Sequence, residues 1–204
     1  MKRTRVKSHP PLTRERALQA ATELADAGGL EAVTMRRLAQ EIGVEAMSLY
    51  YHFANKDAVL DGMADLVFGE ILLPPIESPD WRISMRERAL SMRNVILSHP
   101  WAMAIMESRT SPGPATLGHH NAVIGCLRHS GFTIPMAAHA FSVMDAYIFG
   151  FVLSEVNLPF DESTTPTEME QLVEGMIANF PADDFPHLME MTAEHILTPD
   201  YSYA

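Results

Sequence analysis

Apolar residues recur at helical spacing along almost the whole chain, and Gly, Pro and capping residues divide that periodicity into separate helices. The first runs from a cap at Thr13 to Gly28-Gly29, with Ala17, Leu18, Ala21, Leu24 and Ala25 on one side and Glu15 near the positive end of its dipole. Thr34 stands where the next N-cap belongs, and Val33 and Leu38 have the spacing of a hydrophobic staple. Leu38, Ala39 and Ile42 then make one apolar stripe, leaving Arg36, Arg37, Gln40 and Glu41 on the other sides. Gly43 stops this helix, because glycine enters the left-handed region without a Cβ penalty. Val44 and Leu49 let a second short helix fold back on it. A fourth helix, capped by Asn55 with Asp57 in its first turn, carries Val59, Leu60, Met63, Leu66, Val67 and Ile71 towards Pro74-Pro75. At about 1.5 Å per residue it is a rod long enough to transmit a tilt.

Beyond a stiff elbow, residues 73–79, the pattern stays helical. Trp81 to His99 carries Ile83, Met85, Leu90, Met92, Val95, Ile96 and Leu97 in a broad stripe, set against Arg82, Arg86, Arg88 and Arg93. Trp101 to Ser108 reads as a short apolar helix, and Ala115 to Ser130 as another with Leu117, Ala122, Val123, Cys126 and Leu127 inside. Ile134 to Asn157 is nearly apolar all round, which predicts burial on more than one side. A polar, proline-bounded loop from Leu158 to Pro166 precedes two last amphipathic helices, Glu168 to Phe180 and Pro186 to Leu197. No alternating strand pattern is present, so the fold class is all-α.

The block TMRRLAQEIGVEAMSLYYHF, Thr34 to Phe53, has the layout of a helix-turn-helix with Glu45, Ala46, Ser48 and Tyr51 or His52 facing outward. The longer stretch LTRERALQAATELADAGGLEAVTMRRLAQEIGVEAMSLYYHFANKDAVLD resembles the N-terminal DNA-binding domain of the TetR family of bacterial repressors. The resemblance implies a three-helix head over residues 11–71, closed by Tyr50, Tyr51, His52, Phe53 and Lys56. Side-chain chemistry separates the expected roles. Arg36 offers a bidentate fork to a guanine edge, and the family likeness implies that an Arg at this place reads a base. Arg37 suits a phosphate. Glu45 can accept from a cytosine amino group, Ser48 fits base or phosphate, and Ala46 and Met47 offer apolar contact. Tyr50, Tyr51, His52 and Lys56 suit the backbone, where contacts position without specifying, and the capping Thr34 is counted with the DNA-binding positions. For Tyr50 and Phe53 the other reading is a core aromatic that closes the small domain.

Net charge changes the picture only through its distribution. The chain of 204 residues has a formal charge of −11, whereas DNA-binding domains carry a basic footprint. Residues 1–60 hold nine Lys/Arg against seven Asp/Glu, net +2; the remainder holds six against nineteen, net −13, with no Lys or Arg after Arg128. Two parts with two jobs follow. Met1 to Pro11 is a basic arm in which Lys2, Arg3, Arg5 and Lys7 either touch phosphate or remain solvated. The single cysteine, Cys126, excludes an internal disulfide, and MKRTRVKSHPP lacks the apolar core of a signal peptide, so a cytoplasmic protein is expected. The least polar window, Phe132 to Val156, is interrupted by Pro135, His139, Asp145 and Glu155, which favours a buried helix over a membrane span.

ILSHPWAMAIMESRTSPGP, LRHSGFTIPMAAHAFSVMDAYIFGFVLSE and FPHLMEMTAEHIL resemble the ligand-binding C-terminal domain of the tetracycline-repressor subgroup. That likeness implies a larger helical ligand-binding and dimerisation domain over residues 80–198, with Ile134 to Asn157 and Pro186 to Leu197 of each subunit in a four-helix bundle. Flexible and flat apolar side chains suit an effector pocket: Trp101, Met103, Met106, Phe141, Met144, Phe149 and Met176, with Arg109, His120 and Asp145 as polar partners. The alternative for most of them is plain core. Where the subgroup places a His that holds the drug's magnesium, this chain has Met106, so tetracycline–magnesium is not the expected effector. Nine histidines include no i, i+4 His/His/carboxylate set, and neither a Gly-rich phosphate loop nor a nucleophile elbow is present. Metal, cofactor and catalysis are therefore not expected. The whole reading is a homodimeric repressor of a palindromic double-stranded operator, released by a small apolar or amphipathic effector and independent of membranes. The rivals are a metal or partner-protein sensor with weak DNA binding, and a TetR-like activator.

Overall fold

The computed structural model describes residues 11–106, 108, 111–160, 164–177, 184–198, 201 and 203. Among them there are only helices and turns: α1 (Arg14–Ala32), α2 (Met35–Ile42), α3 (Ala46–Leu49), α4 (Lys56–Glu70), α5 (Trp81–Ser98), α6 (Met103–Met106), α7 (Pro114–His129), α8 (Ile134–Val156), α9 (Pro166–Ile177) and α10 (Pro186–Met191). The fold is all-α, with an N-terminal helix-turn-helix and a larger C-terminal helical part. By contact density the chain forms two compact units, Met1–Val152 and Leu153–Ala204.

Local signals set the starts of the first helices. Thr13 Oγ1 accepts from the Arg16 N–H at 3.2 Å, Thr34 Oγ1 from the Arg37 N–H at 3.1 Å, and Asn55 Oδ1 from the Ala58 N–H at 2.9 Å. Each cap satisfies a backbone donor that the helix itself cannot. Gly43 ends α2 in the left-handed region at φ 72°, and the next N–H, of Val44, returns to Ala39 O at 2.9 Å. α1 keeps its helical course to Gly28-Gly29, where the backbone leaves helical angles before one more turn ends at Ala32. α1 and α4 approach closely at Gly62, where a Cβ would come within 2.6 Å of Leu18.

One apolar core runs through the first unit without a break. In the head it holds Leu18, Leu38, Ile42, Leu49, Phe53, Val59 and Met63; along α4 it continues through Val67 and Phe68 to Met92, Ile96, Trp101, Ile105, Met106 and Val152. At roughly 1.5–3 kcal/mol for each large side chain buried, this continuity makes α4 common to the head and the helices behind it. A smaller cluster, Met85, Val123, Cys126, Leu127 and Ala137, joins α5, α7 and α8, with Trp81 and Phe132 stacked edge to face at 5.0 Å beside it.

Two helices differ from their sequence-predicted form. In α5 the buried residues are Ser84, Met85, Arg88, Met92 and Ile96, while Ile83 and Leu90 are exposed. Arg88 therefore lies inside the core instead of on the polar side. α8, expected to be buried on more than one side, buries only Ala137, Asp145, Ile148 and Val152, and exposes Ile134, Met136, Val143, Tyr147, Leu153 and Val156. By length and composition α8 could cross a membrane, but the Asp145 carboxylate at its middle is held to Arg88 in the core of the first unit.

In the second unit α9 opens on a capping box. Glu168 Oε2 accepts from the Thr165 N–H at 2.8 Å, and Thr165 Oγ1 accepts from the Glu168 N–H at 3.3 Å. After α10 the helix widens into a π turn over Thr192–Ile196, closed by the Leu197 N–H on Thr192 O at 3.0 Å.

Candidate nucleic-acid interface and ligand cavity

α3 is only four residues long, and its continuation is a turn in which the N–H groups of His52 and Phe53 both return to Leu49 O at 2.9 Å. Leu49 and Phe53 point inward and are fully buried, so the residues between and before them are forced outward. Met47 is 72% exposed and Tyr51 90%, which for side chains of this size needs an explanation. Around them Arg36, Arg37, Glu45, Tyr50 and Lys56 are exposed, as is the capping Thr34, while Ala46, Ser48 and His52 are half-buried. Of the eleven sequence-predicted DNA positions, the structure thus exposes eight along α2, α3 and the turn to α4, while Ala46, Ser48 and His52 are half-buried, Ala46 against the core.

Three basic side chains tie this surface to neighbouring segments of the chain. Arg14 Nη1 donates to His52 O at 2.9 Å and its guanidinium lies 4.6 Å from the centre of the Phe53 ring. Arg16 Nη2 donates to Ile42 O at 2.9 Å, at the C-terminal end of α2. Lys56 Nζ reaches Leu30 O at 3.5 Å, after the kink in α1. The bracing roles of Arg14 and Arg16 depend on partners 38 and 26 residues away, a separation that local periodicity does not encode.

Where α1, α4 and the turn before α6 meet, His99 bridges two carboxylates, with Nδ1 2.7 Å from Asp26 Oδ1 and Nε2 3.3 Å from Glu70 Oε2. The Trp101 indole N–H donates to the same Asp26 oxygen at 2.6 Å. Burial alone would lower the His99 pKa, but the hydrogen bond and charge of Asp26, with the charge of Glu70, raise it above 6.5. The folded chain therefore holds this proton more tightly than the unfolded chain does. The resulting stability is complete below pH 6.5 and disappears as pH rises through the higher folded value. Thermal melts of the wild type and His99→Gln should accordingly differ most near about pH 5 and converge towards about pH 8. A difference that grows with pH would contradict this bridge.

A second polar centre is deeper. Arg88, 0% exposed, donates from Nε to His119 Nε2 at 2.9 Å and from Nη2 to Asp145 Oδ1 and to Met92 Sδ at 3.7 Å. His119 is driven down to a pKa of about 3 by burial, then by the Arg88 charge and by His120, so its ring is neutral at ordinary pH. Beside this centre lies a cavity of about 320 Å³, lined by His120, Phe141, Ser142, Asp145, Ala146 and Phe149. Four of the ten residues named from sequence for ligand contact are in its walls: His120, Phe141, Asp145 and Phe149. Trp101, Met103 and Met106 belong instead to the continuous core along α4, and Met144 packs against the smaller cluster. Arg109 and the side chain of Met176 lie outside the described residues. Among the described residues no group of three His, Cys, Asp or Glu is placed to hold a metal ion.

Sequence reasoning missed Arg88, although Met85, Arg88, Met92 and Ile96 repeat at three and four residues and so share one face. It also missed how α4 reaches the cavity wall. Asp65 Oδ1 accepts both the Thr116 N–H at 2.8 Å and the Thr116 hydroxyl at 2.9 Å, capping the start of α7. One turn on, the Phe68 ring meets His119 at 5.5 Å and His120 at 5.7 Å, both edge to face.

Comparison with known proteins matches residues 17–63 to the family model for bacterial regulatory proteins of the tetR family, and residues 73–202 to the tetracyclin repressor-like C-terminal domain. An HTH-type transcriptional regulator of Saccharopolyspora erythraea is 35% identical over 177 residues, 86% of this chain and 75% of that protein. The HTH-type transcriptional repressor DrrR1 of Streptomyces coeruleorubidus is 33% identical over 72% of this chain, which spans only 55% of that longer protein. Among solved structures, ActR of Streptomyces coelicolor in complex with actinorhodin superposes with a TM-score of 0.77 at 30% identity, covering 93% of this chain and 88% of that one.

Proposed function

The chain belongs to the TetR family of bacterial transcriptional regulators, and from that premise we propose that it is a homodimeric, cytoplasmic repressor whose grip on a palindromic operator is released by a small apolar or amphipathic effector. Residues 11–71 bind DNA in this reading, and residues 80–198 bind the effector and the second copy. The observation that carries it is the course of α4. Its first half, with Val59, Leu60 and Met63, is core to the head; in its second half Asp65 caps the start of α7, and Phe68 meets His120 in the cavity wall.

An effector that fits only one arrangement of α7 and α8 biases α4, and with it the head, towards the spacing it prefers. The exposed apolar residues of α8 supply the face for a second copy, and two-fold symmetry would then set two heads about 34–36 Å apart on one side of the duplex. That ActR has been solved with actinorhodin supports a ligand-responsive relative of similar fold.

Fluorescence anisotropy of labelled DNA from beside the coding region of this protein, titrated at two salt concentrations, tests the reading. Binding should saturate, weaken with salt and outcompete scrambled DNA. Arg36→Ala should reduce operator affinity roughly 10–100-fold, the equivalent of about 1–3 kcal/mol of base discrimination, and adding Tyr51→Ala should abolish it. Equal wild-type binding to operator and scrambled DNA would refute sequence-specific repression.

A further inference from the structure

His99 makes two contacts that a neutral imidazole cannot satisfy together. Its Nδ1 stands 2.7 Å from an Asp26 oxygen and its Nε2 3.3 Å from a Glu70 oxygen, and ionised carboxylates only accept. A neutral ring carries one N–H, so one of the two carboxylates then faces a nitrogen lone pair; the imidazolium carries two and serves both. The charged groups that act on the ring are these same two, Asp26 from α1 and Glu70 from α4, and the Trp101 ring of the following turn lies 5.7 Å away. Three separate segments of the chain meet here, and the proton count of one ring decides whether all three are held.

The weaker of the two contacts is the one that gives way. Asp26 Oδ1 is closer to the ring and also accepts from the Trp101 indole at 2.6 Å, so a second donor keeps α1 fastened to this turn. Glu70 has the longer contact and is the last residue of α4, where the helix dipole is negative and α4 carries no basic side chain of its own in the last turn. A carboxylate at that end is unfavourable by itself and favourable beside a cation. We propose that His99 is a proton-operated latch on the C-terminal end of α4: protonated, it holds Glu70 to α1 and to the turn before α6, and on losing its proton it lets Glu70 go. The held arrangement binds the proton more tightly, so the latch is complete below pH 6.5 and is lost as pH rises through the higher value of the held ring. Because α4 is common to the head and the helices behind it, a loosened end frees the orientation of the head. Resting on the reading that residues 11–71 bind an operator, the latch makes that binding tighter at lower pH, where the head is pre-organised.

Glu70→Gln tests the latch, since an amide can accept from or donate to either form of the ring. Hydrogen exchange of the full chain, read over the last turn of α4, compares wild type and variant at the same pH, which cancels the intrinsic pH dependence of exchange. At about pH 6 the wild type should exchange roughly two- to fivefold more slowly than the variant, the span of a half-exposed ion pair, and by about pH 8 this advantage should vanish or reverse. It should also be gone at both pH values in a His99→Gln background. A difference independent of pH, none at either pH, or one that survives without His99 would overturn the latch. Anisotropy of labelled operator DNA gives the second readout. Wild-type affinity should fall between about pH 6 and about pH 8 by roughly two- to fivefold more than that of Glu70→Gln, and any share of His52 on the DNA face is common to both chains and cancels. Equal falls would overturn control of the head by the latch. Failure of both chains to prefer operator over scrambled DNA would count against the repressor reading instead, and the exchange result would still decide the latch.

Discussion

Replacing Arg88 by Met alone should cost the folded chain about 3–5 kcal/mol, the usual penalty for removing one partner of a buried ion pair. The guanidinium is fully enclosed and serves His119, Asp145 and Met92 at once. Without it the Asp145 carboxylate stays in the core with no cation, and His119 loses the donor to its Nε2. Most of the effect belongs to the abandoned charge, since Met keeps the apolar stem of Arg and omits only its guanidinium end. Arg88→Met combined with Asp145→Leu should therefore recover most of the loss, because well-packed apolar replacements of buried pairs are often close to neutral. Urea denaturation of wild type, single and double variants measures both quantities. A double variant no more stable than the single one would mean that the pair is not the element that holds α5 to α8.

Phe53→Ala should be about as damaging, roughly 3–5 kcal/mol, and its consequences should reach DNA binding. The ring is 1% exposed, sits among Leu38, Leu49 and Val59 in the head's core, and is covered by the Arg14 guanidinium. Its removal leaves a cavity under the turn that follows α3. It also frees Arg14, whose other contact is the His52 carbonyl. Tyr50, three residues earlier and exposed, provides the comparison: Tyr50→Ala should stay within about 0.5 kcal/mol of wild type in a thermal melt while weakening operator binding. Equal stability losses for the two substitutions would show that Phe53 does not close the head.

Those two positions also mark the border between what local pattern reveals and what it does not. The sequence alone determined the all-α class, the starts of α1, α2 and α4 and the end of α2, because Thr13, Thr34, Asn55 and Gly43 act on backbone groups within a few residues of themselves. The outward set around Tyr51 was equally legible, since Leu49 and Phe53 turn inward and leave their neighbours no other side. Family likeness in the head was legible for the same reason: short-range signals occur there in a fixed order.

Only the tertiary structure decided which residues meet across long separations. Arg88 finds His119 31 residues later and Asp145 57 residues later, and a charged side chain read by itself is assigned to water. Trp101, Met103 and Met106 have the chemistry of a pocket and the position of a core, a distinction that depends on whether α4 lies against them. α8 shows the same limit in reverse. Its apolar residues predicted burial on more than one side, yet a single copy covers one stripe of it and leaves Ile134 and Tyr147 in solvent. Periodicity records that a face is apolar; the identity of what covers that face is a property of the assembled elements.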